Sequence, residues 1–208
     1  MTTILILATA CASGRATGGA AAKTDSPRPT MPGPAAPTVQ AAQDARADMM
    51  AARLTEAPER FVVRARLNTP HDEVWAYLSN HDNLVEYSAG LLQSADVDRR
   101  GSNGTDGVGA TRTCSVGEDR FVEKVVFYRA PYTFAYSAVE NTWGLDGHLA
   151  AVSLTPDGAS TLLEWTVFFN TGDPSMAPMM SQNMEGMMRG RMLPYLAERF
   201  GGEVLPPS

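Results

Sequence analysis

The residue types able to bind, polarise or exchange a proton collect in the middle of this chain. A symmetric hairpin around Gly117-Glu118 puts Arg112 opposite Glu123 and Cys114 opposite Phe121 on the same face. A guanidinium fork beside a carboxylate, if that face lines a cavity, can orient a ligand carboxylate, ketone or hydroxyl. Facing water, it is an ordinary surface ion pair of little energetic consequence. Alternation leaves both readings open, because Phe121, Val125 and Phe127 share the pair's face while Val122, Val126 and Tyr128 oppose it. A second hairpin, around Asp157-Gly158, aligns Leu163, Trp165, Val167 and Phe169 with Val152, Ala150 and His148. That apolar face is expected to be concave. His148 then stands among apolar neighbours as a general acid or base, or as a structural histidine bonded to a nearby carbonyl. Tyr136 is a further candidate for moving a proton. His71, in a first helical turn, and His81, in a link between helices, are expected to be exposed. His71-Asp72-Glu73 lacks metal-ligand spacing, and no phosphate loop, nucleophile elbow, zinc cluster or paired-carboxylate signature occurs. The sequence thus calls for no metal and no cofactor.

The C-terminal quarter adds a different chemistry. Seven of the 11 methionines lie there: Met176, Met179, Met180, Met184, Met187, Met188 and Met192. At 100° per residue, Met176, Met180, Met184, Met187 and Met188 share an arc of roughly 120°, with Gln182, Glu185 and Arg189 on the far side. Methionine is unbranched and polarizable, so such a stripe suits a wall that re-packs around varied apolar ligands. It also suits an ordinary core face. On the first reading Trp165, Met180, Met184, Met187 and Met188 form an apolar ligand wall, with Arg112, Glu123 and His148 as polar contacts.

Several elements must position these residues. Phe61–Leu67 alternates as a strand, with Phe61, Val63, Ala65 and Leu67 on one face. Thr69 is the expected N-cap of a helix with Pro70 at its first position and Val74, Trp75 and Leu78 as its apolar face. A second short helix spans Asn80 to Tyr87. Six strands follow: 92–98, 109–116, 120–128, 132–141, 147–154 and 161–170, with a flexible turn at Gly101–Gly107. Asp173-Pro174-Ser175 starts the methionine helix and Gly201-Gly202 ends it. Pro194 should kink it, with Gly190 giving the ring room. Trp75, Tyr87, Tyr136, Trp143 and Trp165 are read as mainly structural aromatics. A curved antiparallel sheet wrapped around one long helix encloses a space suited to apolar ligands.

Residues 1–57 are rich in Ala, Pro, Gly, Ser and Thr and read as a disordered tail, with a loose leader helix over 35–56 ended by Pro58. Residues 58–208 form one domain of ordinary size. Ile4–Cys11 resembles the end of a bacterial lipoprotein signal, which would lipidate Cys11 and tether the chain to the cell envelope. The run is short and no Lys or Arg precedes it, so an untargeted, cytoplasmic chain is the alternative. Cys114 reads as a buried thiol. Net charge is −6 with no basic cluster, so nothing marks a nucleic-acid partner. No run of 18 apolar residues occurs, and nothing specifies an oligomeric state.

The element order and several motifs together resemble the SRPBCC superfamily of START-like, helix-grip proteins, and within it the polyketide cyclase/dehydrase branch. Thr69–Leu78 is similar to the family's opening P-x-x-x-V-W-x-x-L helix, and Asn80–Tyr87 to its second helix. Gly107–Arg112 resembles its G-x-G-x-x-R strand entry, Glu123 a frequent Glu in the next strand, and Tyr136 and Trp165 its aromatic positions. The resemblance covers about residues 60–200. It implies an α+β fold with a seven-stranded antiparallel sheet around a long C-terminal helix, and two short helices after the first strand. It also implies a central cavity for a hydrophobic small molecule of lipid or polyketide type. A cyclase, aromatase or dehydratase is the alternative, with Arg112 polarising a carbonyl and Tyr136 or His148 moving a proton. A ligandless envelope module is a third.

Overall fold

The computed structural model describes residues 38–101 and 106–207. Its centre is one antiparallel sheet in the order β2-β3-β4-β5-β6-β7-β1-β8. The strands are β1 (Glu59–Leu67), β2 (Ser94–Asp98), β3 (Thr111–Val116), β4 (Asp119–Arg129), β5 (Thr133–Asn141), β6 (Leu145–Asp157), β7 (Ser160–Thr171) and β8 (Gly202–Val204). Helices α2 (His71–Leu78) and α3 (Leu84–Tyr87) lie between β1 and β2, joined by a 3-10 turn at His81–Asn83. The expected helix-grip order is therefore present.

The sheet has eight strands rather than seven. Gly201, at φ +66°, ends the long helix, but Gly202 opens β8, which pairs Gly202, Glu203 and Val204 with Leu67, Arg66 and Ala65. A Cβ on Gly202 would lie 2.0 Å from the Arg66 carbonyl oxygen, so only glycine permits this close pairing. Thr69 is not a side-chain cap. The residue before the helix is Pro70, and the Thr69 hydroxyl donates to the Phe200 carbonyl at 2.7 Å, tying the start of α2 to the end of the chain's last helix.

The leader helix exists as α1 (Val39–Ala51), capped by the Thr38 hydroxyl, which accepts from the Ala41 amide at 3.2 Å. It packs on β6 and β5 through buried Ala42, Ala45 and Met49. Together with Leu54 and Ala57, Met49 covers an outer apolar patch of Ala135, Leu149, Ala151 and Phe168. Residues 38–57, read from composition as part of the tail, thus form a layer behind the sheet; the small apolar spacing of α1 outweighs its polar composition. The rest of the tail, including Cys11, lies outside the described residues, as does most of the turn expected at Gly101–Gly107.

The long C-terminal segment runs from a 3-10 turn (Pro174–Met176) through α4 (Ala177–Met187), a π-helical turn (Met188–Met192) and α5 (Leu193–Phe200). The kink expected at Pro194 takes the form of this π turn. Proline removes the donor that would bond the Gly190 carbonyl, and the wider turn accommodates the ring by relaxing the ladder just before it. Arg189, on the far side from the cavity described below, donates to the carbonyls of Val62 and Leu205 and pins the segment to β1 and the chain following β8.

Candidate functional site

A cavity of about 140 Å³ lies between the inner face of β3–β7 and the C-terminal segment. Met184, Met187, Met188 and Met192 form one wall, and Phe121, Ala150, Trp165 and Val167 face them from the sheet. Leu84 and Ser88 of the α3 region close one side, and half-buried Leu91, Leu92, Val116 and Trp143 form the rim. Among the described residues, Arg112 and Glu123 are the only charged ones in the lining.

Arg112 is the most engaged side chain here. It lies opposite Glu123 as the symmetric hairpin requires, and Cys114 lies opposite Phe121. Only 1% of its surface is exposed. Its Nε donates to Glu123 Oε2 at 2.6 Å, and the guanidinium carbon sits 3.9 Å above the Tyr136 ring centre. Nη1 lies 3.4 Å from His81 Nδ1. Nη2 is buried and makes no hydrogen bond of good geometry among the described residues. Burial opposes the charge, but Glu123 and the surrounding phenols more than offset it, and the Arg112 pKa is raised. The Cys114 thiol, 3.9 Å from Glu123 Oε2, is pushed up to about 12 by burial and by that carboxylate, so it is no thiolate nucleophile.

His81 was expected at the surface and is instead fully buried. Its Nε2 donates to the Asp106 carbonyl at 3.2 Å, which leaves Nδ1 as acceptor toward Arg112, and its backbone amide donates to Asp106 Oδ2 at 3.1 Å. Burial, and then the Arg112 charge, lower its pKa to about 4. Imidazole and guanidinium can coexist here because the imidazole stays neutral. His71 is likewise buried rather than exposed, its ring 5.3 Å from that of Tyr132 and its Nδ1 3.2 Å from Asp72 Oδ1. Helical periodicity gave no warning for His81, which occupies a single 3-10 turn.

His148 is on the concave face, as its hairpin register implied, but a bulge between Asp146 and Leu149 turns it. Its Nδ1 accepts from the Ala138 amide at 3.1 Å, rather than the ring donating to a carbonyl, and its own carbonyl accepts from Ser137 Oγ at 2.6 Å. The ring proton therefore sits on Nε2. Burial lowers the pKa of His148. Tyr136 lines the cavity as a protonated phenol, its pKa raised by burial and by Glu123. Trp165 Nε1 and Tyr87 Oη are buried and make no hydrogen bond of good geometry among the described residues, but each has a polar neighbour, the Tyr136 phenol for Trp165 and the Arg112 guanidinium for Tyr87, and burial pushes the Tyr87 phenol up to about 12.

The methionine stripe is divided. Met184, Met187 and Met188 reach the cavity; Met180 packs at the core's edge instead, and Met176 and Met179 are exposed. Met192 joins the wall although a regular helix carries it about 40° past Met188. The π turn advances less per residue, so Met192 falls back into the arc. The aromatics pack as expected, Trp75 against Tyr128 and Phe134, and Trp143 against Phe121, while Tyr136, Trp143 and Trp165 also line the cavity.

This is the architecture of a ligand-binding helix-grip protein. A family model described as "Polyketide cyclase / dehydrase and lipid transport" matches residues 58–200, and the chain belongs to that family. No curated protein matches it. Among solved structures, a protein from Thermobifida fusca determined by solution NMR is similar at 21% identity and TM-score 0.58, over 68% of this chain and 92% of that one. A norcoclaurine synthase point mutant from Thalictrum flavum, in complex with a transition-state analogue, is similar at 13% identity and TM-score 0.52, over 70% and 97%. A protein from Thermus thermophilus is similar at 15% identity and TM-score 0.51, over 69% and 97%. These likenesses share the fold.

Proposed function

We propose that this protein binds or carries an amphipathic small molecule, its apolar body against the methionine wall and an acceptor group at Arg112 Nη2. The observation that carries this reading is a cavity walled by methionine and aromatic side chains around one buried guanidinium, Arg112, whose Nη2 makes no hydrogen bond of good geometry among the described residues. Buried donors are normally paired, and leaving one unmet costs about 1–3 kcal/mol, more for a charged group. A ligand oxygen would satisfy it. The cavity's size matches one ring or a short chain, since a pocket of about 150 Å³ takes benzene. Larger ligands would displace the methionines or extend through the rim. Native mass spectrometry of the full chain purified from its source cells tests the reading. A bound small molecule released on denaturation supports it; a protein that stays empty and takes up no neutral apolar dye contradicts it.

A second reading is an enzyme of cyclase, aromatase or dehydratase type, favoured by the convergence of Arg112, Tyr136 and His148 on one cavity. It ranks below binding because the His148 Nδ1 lone pair is already engaged by Ala138. Turnover of a polyketone with loss of water, abolished by Arg112→Met, would support it. Tethering through a lipidated Cys11 is part of the same proposal, supported by the apolar run Ile4–Ala10 before it. Cys11→Ala should then move the protein from the membrane fraction to the soluble one.

A further inference from the structure

We infer that the cavity selects a ligand whose polar end is a neutral carbonyl, such as a ketone, ester or amide, and excludes carboxylates, with Glu123 as the specificity-determining residue. The inference rests on the binding reading above. Two independent features of the lining lead to it.

The first is charge. Arg112 and Glu123 are the only formal charges in the described lining, and they already face each other at 2.6 Å, so the cavity's net charge is zero. His148 and Tyr136 stay neutral at physiological pH, because burial disfavours the imidazolium and the phenolate. A ligand carboxylate at Arg112 would place two anions on one guanidinium among Met, Phe and Trp side chains, with no second cation in that lining. Moving an unpaired carboxylate out of water is strongly unfavourable. A neutral carbonyl carries no such penalty and still receives a charge-assisted hydrogen bond.

The second is geometry. Bidentate carboxylate recognition uses two adjacent guanidinium nitrogens. Nε is occupied by Glu123 and Nη1 faces His81 Nδ1, so each two-nitrogen edge of Arg112 already has one nitrogen engaged. The third nitrogen, Nη2, makes no hydrogen bond of good geometry among the described residues, with the Tyr87 hydroxyl as its neighbour, so at most one nitrogen is left for a ligand. One free nitrogen suits one acceptor oxygen. The other donors in the lining, among them Trp165 Nε1, His148 Nε2 and the Tyr136 hydroxyl, are uncharged groups that each offer a single hydrogen.

The test uses three probes with one heptyl chain: 2-nonanone, octanamide and octanoate, each displacing a neutral solvatochromic dye from the full-length protein at neutral pH. The expected result is that the ketone and the amide bind at least about tenfold tighter than octanoate, a difference of about 1.4 kcal/mol. In Glu123→Gln, which removes the competing anion and leaves Arg112 charged, octanoate should gain about tenfold or more relative to the ketone. Wild-type protein that binds octanoate as well as the ketone, or better, overturns the inference and leaves the cavity reading standing. A folded Glu123→Gln variant with an unchanged ratio removes Glu123 from the role. Failure of the dye and all three probes to bind overturns the cavity reading itself, and the inference with it. If Glu123→Gln does not fold, the wild-type comparison of octanamide with octanoate decides, since those two differ chiefly in charge.

Discussion

Replacing Arg112 with methionine should destabilise the protein by about 3 kcal/mol, and the structure says where that energy comes from. Arg112 is 1% exposed, and a methionine retains part of its aliphatic stem. The substitution leaves the Glu123 carboxylate with only the weak Cys114 thiol as donor and leaves His81 Nδ1 without one. Breaking a buried ion pair by removing one partner costs about 3–5 kcal/mol. The Glu123 side chain is 16% exposed and can relax toward water, which favours the lower end. The lost contact over Tyr136 changes this little, because methionine replaces the cation–π contact with a sulfur–aromatic one. For a chain of this size, about 3 kcal/mol lowers Tm by roughly 6–12 °C. The double variant Arg112→Met/Glu123→Gln should recover at least about half of the loss, because no buried charge is then left unpaired. Thermal and urea unfolding at neutral pH measure all three. A loss under about 1 kcal/mol would place the pair in the class of solvated surface bridges and refute the buried-pair account.

Other consequences follow from the same contacts. His81 is held down to about 4 from its ordinary 6.5 by burial and Arg112, with Arg99 adding to and Asp106 opposing the shift. The unfolded chain therefore takes up the proton first, and stability falls as pH falls from about 6.5 to about 4, on the order of 3 kcal/mol from this residue; His81→Asn should flatten the dependence of the urea midpoint on pH in that window, and an unchanged slope counts against it. Met184→Glu should abolish uptake of a neutral apolar dye while leaving the far-ultraviolet circular dichroism intact, because the half-buried side chain can turn its charge outward; undiminished uptake contradicts the helix-wall account. Gly202→Ala should detach β8 and cost about 2–4 kcal/mol, given the clash with Arg66, seen as lost hydrogen-exchange protection at the paired β8 amides. Ala45→Glu places a charge under fully buried α1 packing and should expose residues 38–57 to proteolysis while ligand uptake persists; protection equal to wild type would show that α1 is not docked.

Register was legible in the sequence only as far as the two-residue turn could be placed. Gly117-Glu118 fixes Arg112 opposite Glu123, whereas the second turn falls on Gly158-Ala159, one residue past Asp157-Gly158, and pairs Val152 with Trp165 instead of Leu163, so there the face was legible and the exact pairing was not. The face of the 109–128 hairpin was not legible, because β4 is bulged between Val125 and Phe127. Val126 and Phe127 consequently both pack on the outer side with Met49, and Tyr128 returns to the main core, so alternation read straight through points Phe127 the wrong way. The same limit hid the turned ring of His148. Met192 escaped the helical wheel because a π turn changes the angular step, and Pro194 was the available cue. His81 had no cue at all: its burial comes from Arg112, Phe134 and Asp106, which only the folded chain brings to it. The outer layer formed by α1 was masked by a composition dominated by alanine and polar residues, although Ala42, Ala45 and Met49 are spaced for one helical face.

The central claim is that ligand sits between the sheet and the methionine wall, and the methionines themselves can report it. Labelling methionine methyl groups with carbon-13 and titrating the full chain with 2-nonanone should shift the resonances of Met184, Met187, Met188 and Met192, which line the cavity. Met49 and Met50 of α1 and exposed Met176 and Met179 should stay in place. Shifts confined to those outer methionines, or saturation with no shift at the four wall methionines, would contradict the account.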